Sequence, residues 1–525
     1  MDDAAGPSPV APGRLRLLLV LAILVAATAG LIYELIMGTV ASYLLGDAVA
    51  QFSLAIGIFL AAMGLGSFLT RWIQDGELGW LIWLEAGLGC LGAVLAPLAF
   101  AAFAAGVGEY AALFGGTALA GVLVGMELPL VIRLVRQVDP LPAALGTVLA
   151  ADYAGALGAA VLFPFVLLPE LGLVRAGAVA GALSVAAAAL LRWRLAPMLP
   201  ARGPLGRRVL AVVCVGSAVW CAVVAAAAPG LVGGLHAHLY QDEVVFSAQS
   251  ARAQVVVTRW RDDIRLYLDG HLQFSTVDEY RYHESLVHGA LGRSPRPMRR
   301  VLVLGGGDGL AVREVLRRPE TVEVVLVDLD PMVTGLFRDR PLLAAVNGGA
   351  LADPRVTVVH TDAFRFVQDD PRLWDGILID LPDPSEAALG KLYSLEFYSL
   401  CLRRLADGGV VATQATSPFR SREAFWCIAR TLRAAAATRP GATAAAWHTE
   451  VPTFGTWGFA AVVAGPQVPP ERIPIPDGCR FLAPGVLPSL AAFPPDMAEV
   501  DGPISTLDLP AASTLYRRGW HRYLE

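Results

Sequence analysis

Long apolar segments fill the first 229 residues and set the strongest limit on how this chain can fold. A helix needs about 20 apolar residues to cross the hydrocarbon layer of a membrane. A cleaved signal peptide would account for the first segment alone, so the sequence predicts a multi-pass protein of the cell membrane. The seven candidate crossings are residues 16–38, 49–70, 79–103, 110–132, 144–168, 173–191 and 208–228.

Composition changes near residues 229–240, after which charges, aromatics and prolines occur at the density of a water-soluble protein. A length of 525 residues also leaves room for more than one domain. The predicted division is an N-terminal tail (1–15), a membrane domain (16–229), a small β-domain (236–292), an α/β domain (293–465) and a Pro-rich, irregular extension (466–525).

Charge and cysteine usage argue against two classes of function. A net charge of −5 offers no basic face for nucleic acid. The six cysteines form no CxxC pair and have no nearby His partner, which predicts neither a zinc site nor a disulfide framework. His288 and the other isolated histidines have no partner spacing and receive no role.

The soluble half reads as two successive β-containing regions. Residues 253–274 alternate apolar and polar residues, as two or three antiparallel strands would. The stretch "RRVLVLGGGDGLAVREVL" then gives a buried strand, a glycine-rich turn and a helix, and the strands "VEVVLVDLD", "VTVVH" and "GILID" follow with helical segments between them. This alternation predicts a parallel, doubly wound, Rossmann-like α/β sheet.

Carboxylates follow four of these strands, at the edge where such sheets bind ligands. They are Asp308, Asp328, Asp362 and Asp380. No GKS/T follows the glycine-rich turn, and Asp308 inside it would repel a pyrophosphate and attract a cation. An acidic residue at the position of Asp328 typically binds ribose hydroxyls. The predicted ligand is therefore an adenosyl sulfonium rather than NAD or ATP.

At this point the chain resembles a known family. In chain order, the stretches "LDGHLQFSTVDEYRYHESLVH", "GGGDGLAVREV", "VDLDP", "DPRVTVVHTDAFRFV" and "DLPDP" are similar to the successive signatures of the polyamine aminopropyltransferases, the spermidine synthases. The apolar half, with "GLIYEL", "YLLGD" and "QFSLAIGIFL", resembles their membrane-embedded bacterial subgroup. The resemblance implies a sheet of the class I methyltransferase type and the transfer of an aminopropyl group from decarboxylated S-adenosylmethionine to putrescine or a similar diamine. It also implies no further cofactor or metal, and a homodimer or higher homo-oligomer.

The resemblance also implies roles for single residues. Asp380 would be the catalytic base, since a primary ammonium with a pKa of about 10.4 must lose a proton before it can attack. Asp383, three residues later, would bind charge on the diamine, because a helix cap explains only one of the two carboxylates. The implied donor-binding residues are Gln254, Asp308, Asp328, Asp362 and Ala363, and the implied polyamine-binding residues are Gln273, Tyr282, His283, Asp308, Asp380 and Asp383.

Three departures from the family pattern bear on the choice of acceptor. "SEAALGKLYS" lacks the usual proline of the loop after the second carboxylate, "PTFGTWGF" carries Phe454 where many members have Tyr, and Ala253 replaces a Tyr. Two other functions stay open, namely a methyltransferase on the same sheet and a membrane transporter or sensor without catalysis.

Structural roles are the alternative for several of these side chains. Tyr282 and His283 would otherwise be the polar face of an ordinary helix, and Asp278 with Glu279 would cap that helix. The aromatic residues Phe419, Trp426, Trp457 and Phe459 are expected in the core.

Polar residues inside the apolar segments are candidates for function, because they are costly in a bilayer. They are Tyr33, Glu34, Glu85, Glu127, Asp152 and Tyr153. A cation path for polyamines is one interpretation. Interhelical hydrogen bonding, with small residues allowing close helix contact, is the favoured one.

Two arguments disagree on orientation. Arginines flank the chain start and the loops after the second, fourth and sixth crossings, which places the N-terminus inside and, after seven crossings, the soluble half outside. The donor and putrescine are made in the cytosol, however. We give the supply of substrates more weight and expect a cytoplasmic catalytic half, with an eighth crossing or re-entrant segment not evident from hydropathy.

Overall fold

The computed structural model describes residues 11–45, 48–240, 242–250, 252–385 and 387–521. They form two compact units, which divide between Val244 and Val245. Helices of the first unit are α1 (Pro12–Leu45), α2 (Ala48–Leu69), α3 (Glu77–Ala105), α4 (Gly116–Val135), α5 (Leu141–Leu162), α6 (Leu168–Arg194) and α7 (Arg207–Leu239).

By length and composition, six continuous helical stretches of this unit are able to cross a membrane. One of them, Leu141–Arg194, is 54 residues long, which is far more than a single crossing needs. It contains both α5 and α6, and the helix breaks at Gly172, where φ is 69° and ψ is 175°. Seven helical segments therefore match the seven predicted ones. In the described part of the chain, no further helix has the length and apolarity of an eighth crossing.

The arginine-bearing loops of this unit lie at one end of the helices. Arg16, at the start of α1, is 3.3 Å from Asp139 in the loop between α4 and α5. Arg133 donates to the carbonyl of Ile73, in the loop after α2, at 2.6 Å. The segment before α7 lies at this end too, because a Cβ atom on Gly76 would be 2.7 Å from Leu205 Cδ1. Helix α7 therefore begins here and finishes at the other end.

Glycines allow close helix contact in the first unit. A Cβ atom at Gly66, Gly125 or Gly155 would come within 2.0, 2.1 and 2.3 Å, respectively, of a backbone carbonyl oxygen of a neighbouring helix. No side chain fits at such distances, and α2–α4 and α1–α5 pack through these positions. The expectation that small residues serve helix packing is confirmed here.

Polar residues of the first unit have different surroundings. The hydroxyls of Tyr33 and Ser184 are 3.2 Å apart and join α1 to α6, which is the interhelical hydrogen bonding expected. Glu85 and Glu127 are buried, and each has one carboxylate oxygen without a hydrogen-bond partner. Tyr153 is 68% exposed and therefore lies on the surface of this unit.

The second unit begins with a small antiparallel sheet of four strands in the order β1–β2–β3–β4. Two or three strands were expected, and the additional one lies before the alternating stretch, at the change in composition. The strands are β1 (Glu243–Gln249), β2 (Gln254–Trp260), β3 (Asp263–Leu268) and β4 (His271–Ser275), and helix α8 (Glu279–Leu291) follows them.

The main sheet has seven strands in the order β10–β11–β9–β8–β5–β6–β7. The five strands β9, β8, β5, β6 and β7 are parallel to one another, whereas β11 runs antiparallel to both β9 and β10. The predicted Rossmann-like fold is thus confirmed, but the sheet is mixed rather than all-parallel, because hydropathy does not encode strand direction. The strands are β5 (Arg300–Gly305), β6 (Glu323–Asp328), β7 (Val356–His360), β8 (Trp374–Asp380), β9 (Leu405–Gln414), β10 (Thr443–Val451) and β11 (Gly455–Val463).

Helices cover both faces of this sheet, because alternate strand residues point to opposite sides. The helices are α9 (Leu310–Leu316), α10 (Pro331–Asp339), α11 (Pro341–Ala344), α12 (Ala363–Asp369), α13 (Ala387–Gly390), α14 (Leu395–Arg403) and α15 (Arg422–Ala436). Val301 and Val303 pack with α8, α9 and α10, whereas Leu302 and Leu304 pack with α12, α14 and α15.

The C-terminal extension is more regular than predicted. It contains the short helix α16 (Val486–Leu490) and ends in the helix α17 (Ala511–His521). Its backbone N–H groups at Arg480, Phe481 and Leu482 donate to the buried carboxylate of Glu284 on α8, at 2.6 to 2.9 Å. The extension is therefore an integral part of the second unit.

Candidate active site

The glycine-rich turn after β5 lies directly against two of the strand-end carboxylates. Gly305 pairs in register with Asp380, and a Cβ atom on it would be 2.2 Å from the Asp380 carbonyl oxygen. A Cβ on Gly306 would be 2.8 Å from Asp380 Oδ2, and one on Gly307 would be 2.7 Å from Asp328 Oδ2. Gly305 and Gly306 also have positive φ values of 81° and 68°, which glycine adopts readily. Glycine is thus required at this turn for both space and conformation.

Asp308 ends the turn and is held from two directions. Its Oδ1 accepts the backbone N–H of Leu310 at 2.9 Å, and the Asn347 side chain donates to its carbonyl oxygen at 2.8 Å. Burial raises the pKa of Asp308 to about 6, with His283 opposing and Asp380 adding to the shift. The charges of His283 and Asp380 therefore both act on Asp308.

The hydroxyl of Tyr282 donates a hydrogen bond to Asp380 Oδ1 at 2.7 Å. Its other oxygen, Oδ2, is 4.0 Å from Nε2 of His283. Burial, together with the Asp380 charge, holds the pKa of Tyr282 well above its usual range, so the phenol remains a donor. The structure thus brings Tyr282 and His283 to the end of β8, which contradicts their alternative interpretation as an ordinary polar helix face.

His283 is fixed by a residue on its own helix. Its Nδ1 is 2.8 Å from Glu279 Oε2, and Arg313 donates to both Glu279 oxygens at 3.0 Å. Burial lowers the pKa of His283, but the hydrogen bond and charge of Glu279, with the charge of Asp380, raise it overall to about 9. At neutral pH the side chain is an imidazolium that faces Asp380.

The helix-cap interpretation of Asp278 is wrong. Its side chain makes no capping hydrogen bond to α8 and instead accepts from the backbone N–H and the hydroxyl of Thr453, at 2.7 and 2.9 Å. Asp278 therefore ties the start of α8 to the turn between β10 and β11. Glu279, also considered as a cap, binds His283 and Arg313 instead.

Asp383 lies in the loop after β8 and contacts Gln414 of β9, whose Nε2 is 3.3 Å from its Oδ1. Tyr393 holds the same loop by donating to the carbonyl of Pro382 at 2.8 Å. Burial raises the pKa of Asp383 to about 7, and a hydrogen bond from Gln414 opposes this shift. A nearby cation would stabilise the charged form of such a desolvated carboxyl group.

Gln414 and Tyr393 contact the loop of Asp383 but were not identified from the sequence, because neither belongs to the motif that it contacts. Trp457 is half-buried and donates from its indole to Gln414 Oε1 at 3.2 Å, so it contacts the site rather than only the core. Phe419, also expected in the core, is 47% exposed. Trp426 and Phe459 are buried, as expected.

The predicted donor-binding residues follow the neighbouring strands. Asp328 Oδ1 accepts the backbone N–H of Asp330 at 2.8 Å, and burial raises the pKa of Asp328. Asp362 is the N-cap of α12 and accepts the Arg365 N–H at 3.1 Å, while Lys391 donates to its other oxygen at 2.6 Å. Ala363, the next residue, is buried.

Two predicted residues lie on the small sheet. Gln254 starts β2 and its backbone N–H donates to Asp269 at 2.8 Å. Gln273 is on β4, where its side chain donates to the carbonyl of His271 at 3.0 Å. Their assignment to the binding site stays a prediction.

One cluster contradicts the expectation that His288 and Cys479 have no metal-ligand partner. Their ligand atoms and that of Glu314 all lie within 4.8 Å of one another. Arg313 and Arg317, however, bind the Glu314 carboxylate at 2.9 and 3.0 Å. Two guanidinium groups already neutralise the only carboxylate, so the cluster fits a buried ionic network better than a cation site.

These observations define a class of protein. The mixed sheet is Rossmann-like. Its ligand-binding edge holds Asp308, Asp328 and Asp380 around a glycine turn, with a phenol and an imidazolium beside Asp380. Such an edge suits an enzyme that binds a nucleoside-bearing cation and removes a proton from a second, amine substrate.

Comparison with known proteins identifies the family. The sequence profile "Spermine/spermidine synthase domain" matches residues 279–471. Polyamine aminopropyltransferase 1 of Ralstonia nicotianae is 42% identical over 99% of both chains. Polyamine aminopropyltransferases of Leptospira interrogans and Mycobacterium tuberculosis are 38% and 39% identical, over 97% and 98% of this chain and 99% of theirs. The chain belongs to the polyamine aminopropyltransferase family.

Solved structures also match the chain. A spermidine synthase in complex with the transition-state analogue AdoDATO is 26% identical, with a TM-score of 0.44, over 48% of this chain and 86% of that one. The spermidine synthase of Thermotoga maritima is 25% identical, with a TM-score of 0.43, over 48% and 85%.

Membership in this family defines the reaction. The protein is a transferase that moves an aminopropyl group, and decarboxylated S-adenosylmethionine is its co-substrate rather than a resident cofactor. The methyltransferase and the non-catalytic transporter or sensor that the sequence left open are set aside.

Proposed function

We propose that the acceptor is putrescine or a similar diamine, and that Asp380 and Asp383 bind its two ends. The observation that carries this proposal is the position of Tyr282, which donates to Asp380 and whose ionisation is opposed by the charges of both Asp380 and Asp383. Two carboxylates therefore flank one aromatic side chain in a desolvated cleft. A diamine, with an ammonium group at each end of an apolar chain, complements this arrangement in charge and polarity.

The donor would bind along the neighbouring strand ends. Asp308 would bind the ammonium of the aminopropyl group, and Asp328 the ribose hydroxyls. Asp362 and Ala363 would contact the adenine, with Lys391 releasing Asp362 when the base binds. Gln254 and Gln273, from the small sheet, would complete the donor and the acceptor sites respectively.

Asp380 would act as the base. A primary ammonium has a pKa of about 10 and does not attack while protonated. Transfer of its proton to Asp380 frees the nitrogen lone pair, which forms a bond to the carbon next to the sulfonium sulfur. The carbon–sulfur bond breaks, its electron pair neutralises the sulfur, and methylthioadenosine leaves without an acid. The extended polyamine and one proton are released.

His283 would assist this step through its charge. A fixed cation near an ammonium lowers the pKa of that ammonium, and the His283 imidazolium faces the carboxylate that takes the proton, 4.0 Å away. The donor sulfonium acts in the same sense. The Glu279–Arg313 pair keeps the imidazole oriented and protonated.

We further propose that the first unit anchors the enzyme in the cell membrane, that the catalytic unit faces the cytoplasm, and that the enzyme is a homo-oligomer. The six long apolar stretches support membrane anchoring. The supply of both substrates from the cytosol supports the orientation. The finer division of the chain at residues 15, 229, 236, 292 and 465 stays a prediction.

The test uses the purified full-length enzyme in detergent. Decarboxylated S-adenosylmethionine and S-adenosylmethionine are each incubated with putrescine, with cadaverine and with spermidine, and the products are identified by mass. We expect aminopropylated putrescine and methylthioadenosine from the decarboxylated donor alone. Turnover with spermidine but with neither diamine would contradict the proposed acceptor.

A further inference from the structure

Asp330, the second carboxylate of "VDLDP", is buried at the ligand-binding edge of the main sheet but is not among the proposed ligand-binding residues. Its Oδ1 caps α10 by accepting the backbone N–H of Met332 at 2.9 Å. Its Oδ2 accepts the hydroxyl of Ser250, 2.5 Å away. Both oxygens therefore bind groups of the protein itself, and one of these groups comes from the small sheet.

Ser250 lies in the connection from β1 to β2 and is only 5% exposed. Its hydroxyl oxygen accepts the backbone N–H groups of Arg252 and Ala253, at 3.0 and 2.9 Å. Its own N–H donates to the carbonyl of Ala253 at 2.9 Å. A serine that accepts from the backbone two and three residues later stabilises a turn. Because Ala253 directly precedes Gln254, Ser250 fixes the point at which Gln254 enters β2.

The small sheet is also held against α10 by apolar packing. The ring of Phe274 on β4 meets that of Phe337 on α10 edge to face, with the centroids 5.6 Å apart. Apolar packing is not directional. The hydrogen bond between Ser250 and Asp330 adds direction to this junction.

Asp330 also contacts the proposed ribose-binding carboxylate. Its backbone N–H donates to Asp328 Oδ1 at 2.8 Å. Hydrogen bonds therefore run from Asp328 through Asp330 to Ser250. From Ser250 they continue to Ala253, which one peptide bond joins to Gln254. This chain of contacts connects two residues that would bind the donor from different sheets.

We propose that Ser250 is a positioning residue of the donor site, which sets Gln254 of the small sheet against Asp328 of the main sheet. It acts through its hydrogen bond to Asp330. This inference rests on the proposed donor-binding roles of Gln254 and Asp328. Neither the family motifs nor the matched domain, residues 279–471, contains Ser250.

The physical reason is preorganisation. A nucleoside that binds between two sheets needs the contacts of both at once, and a residue that must be ordered on binding lowers the affinity. Loss of the Ser250 hydroxyl would leave the N–H groups of Arg252 and Ala253 without this acceptor and would free the turn before Gln254. The affinity should therefore fall, by no more than the loss of the Gln254 side chain itself would cause.

The test is calorimetric titration of the full-length enzyme with methylthioadenosine, which is neutral and therefore insensitive to a change of charge at the site. Ser250→Ala should lower its affinity about 10-fold, the usual effect of losing one hydrogen bond to a charged group. Asp330→Asn is the second variant. It keeps the shape and the N-cap of α10 but removes the charge from the same hydrogen bond, and should lower the affinity at least about 3-fold. The KM for putrescine should stay within about 2-fold in both, because the acceptor carboxylates follow another strand.

Ser275→Ala is the matched control. Ser275 is buried on β4, two strands away from β2, and its hydroxyl donates to Asp263 Oδ1 at 2.7 Å. The substitution thus removes an equivalent bond between a serine and a carboxylate of the same sheet. It should lower thermal stability about as much as Ser250→Ala does and leave the methylthioadenosine affinity within about 2-fold. An equal loss of affinity in both variants would show only a general weakening of the sheet and would overturn the inference.

A double-mutant cycle separates the possible failures. Ser250→Ala added to Gln254→Ala should lower the affinity no further, since the hydroxyl acts through Gln254. A full additional loss, or wild-type affinity in Ser250→Ala or in Asp330→Asn, would overturn the inference and leave the donor role of Gln254 intact. Wild-type affinity in Gln254→Ala would show instead that the proposed donor role of Gln254 is wrong, and the inference would fall with it.

Discussion

Tyr282 and Asp380 are joined by a 2.7 Å hydrogen bond between the phenol on α8 and the carboxylate at the end of β8. The contact leaves Asp380 Oδ2 facing the glycine turn and the His283 imidazole. One oxygen of the carboxylate is therefore held and the other is directed into the cleft, as a base that must meet an incoming amine requires.

Gly306→Ala should reduce turnover by about 100-fold, because the new methyl group would displace Asp380 Oδ2 and small misplacements of a catalytic group are costly. Gly348→Ala is the matched control. Its φ of 64° is close to the 68° of Gly306, but its Cβ would meet nothing within 4 Å. Both variants should lose about 1–2 kcal/mol of stability to the left-handed backbone. Equal turnover in the two would show that the turn does not position Asp380.

His283→Asn removes the charge and keeps a donor for Glu279. We expect kcat to fall about 10-fold, as for a one-unit rise in the pKa of the attacking ammonium, and the KM for the diamine not to rise, because a repelling cation has been removed. Steady-state kinetics over pH 6–10 provide the measurement. A rise in acceptor KM at constant kcat would assign His283 to binding instead.

The raised pKa of His283 also predicts how the stability of the enzyme changes with pH. Its value of about 9 exceeds the unfolded value near 6.5, so its stabilising effect is complete below the unfolded value and is lost as the pH rises through 9. We expect the wild-type enzyme to lose both turnover and thermal stability in that range. The loss should be smaller in His283→Asn, and an identical loss in both proteins would contradict this account.

Asp308→Asn should lower the affinity for decarboxylated S-adenosylmethionine by about 10-fold or more, the effect of losing a charged contact. It should lower the affinity for methylthioadenosine much less, because that product lacks the ammonium. Asp328→Asn is the control and should weaken both ligands equally through the shared ribose. Calorimetric titration of the full-length enzyme measures these ratios. Equal weakening of both ligands by Asp308→Asn would show that Asp308 does not bind the aminopropyl end.

Orientation in the membrane is tested by fusions after Glu525. The structure sharpens the conflict between the two arguments, since its described residues contain seven apolar helices and place the arginine loops where α7 begins. We nevertheless expect a fluorescent protein, which matures inside, to be active, and alkaline phosphatase, which folds outside, to be inactive. Phosphatase activity without fluorescence would contradict a cytoplasmic catalytic unit and support the arginine rule.

The sequence predicted those features that depend on local pattern. Apolar length located the seven helices, and the strand–glycine–helix sequence predicted that Asp308, Asp328 and Asp380 would meet at one edge of the sheet. The reversed strand β11 could not be predicted, because an apolar strand has the same pattern in either direction.

Contacts between distant parts of the chain account for the remaining differences. Asp278 occupies the N-cap position of α8 and still binds Thr453, 175 residues later. In the sequence Glu279 looks like an ordinary acidic residue of a first helical turn, but in the structure it forms hydrogen bonds with His283 and Arg313. Glu284 on α8 accepts the backbone N–H of Arg480, 196 residues later, from a tail with no recognisable motif.

The most direct test of the account is the single-turnover rate of Asp380→Asn with decarboxylated S-adenosylmethionine and saturating putrescine. Asparagine keeps the size of the side chain and the contact with Tyr282 but accepts no proton, so we expect a rate at least about 100-fold below wild type with unchanged donor affinity. Asp383→Asn, compared at the same saturating acceptor, should retain most of its rate. A wild-type rate in Asp380→Asn at neutral pH would show that Asp380 is not the base and would contradict the mechanism.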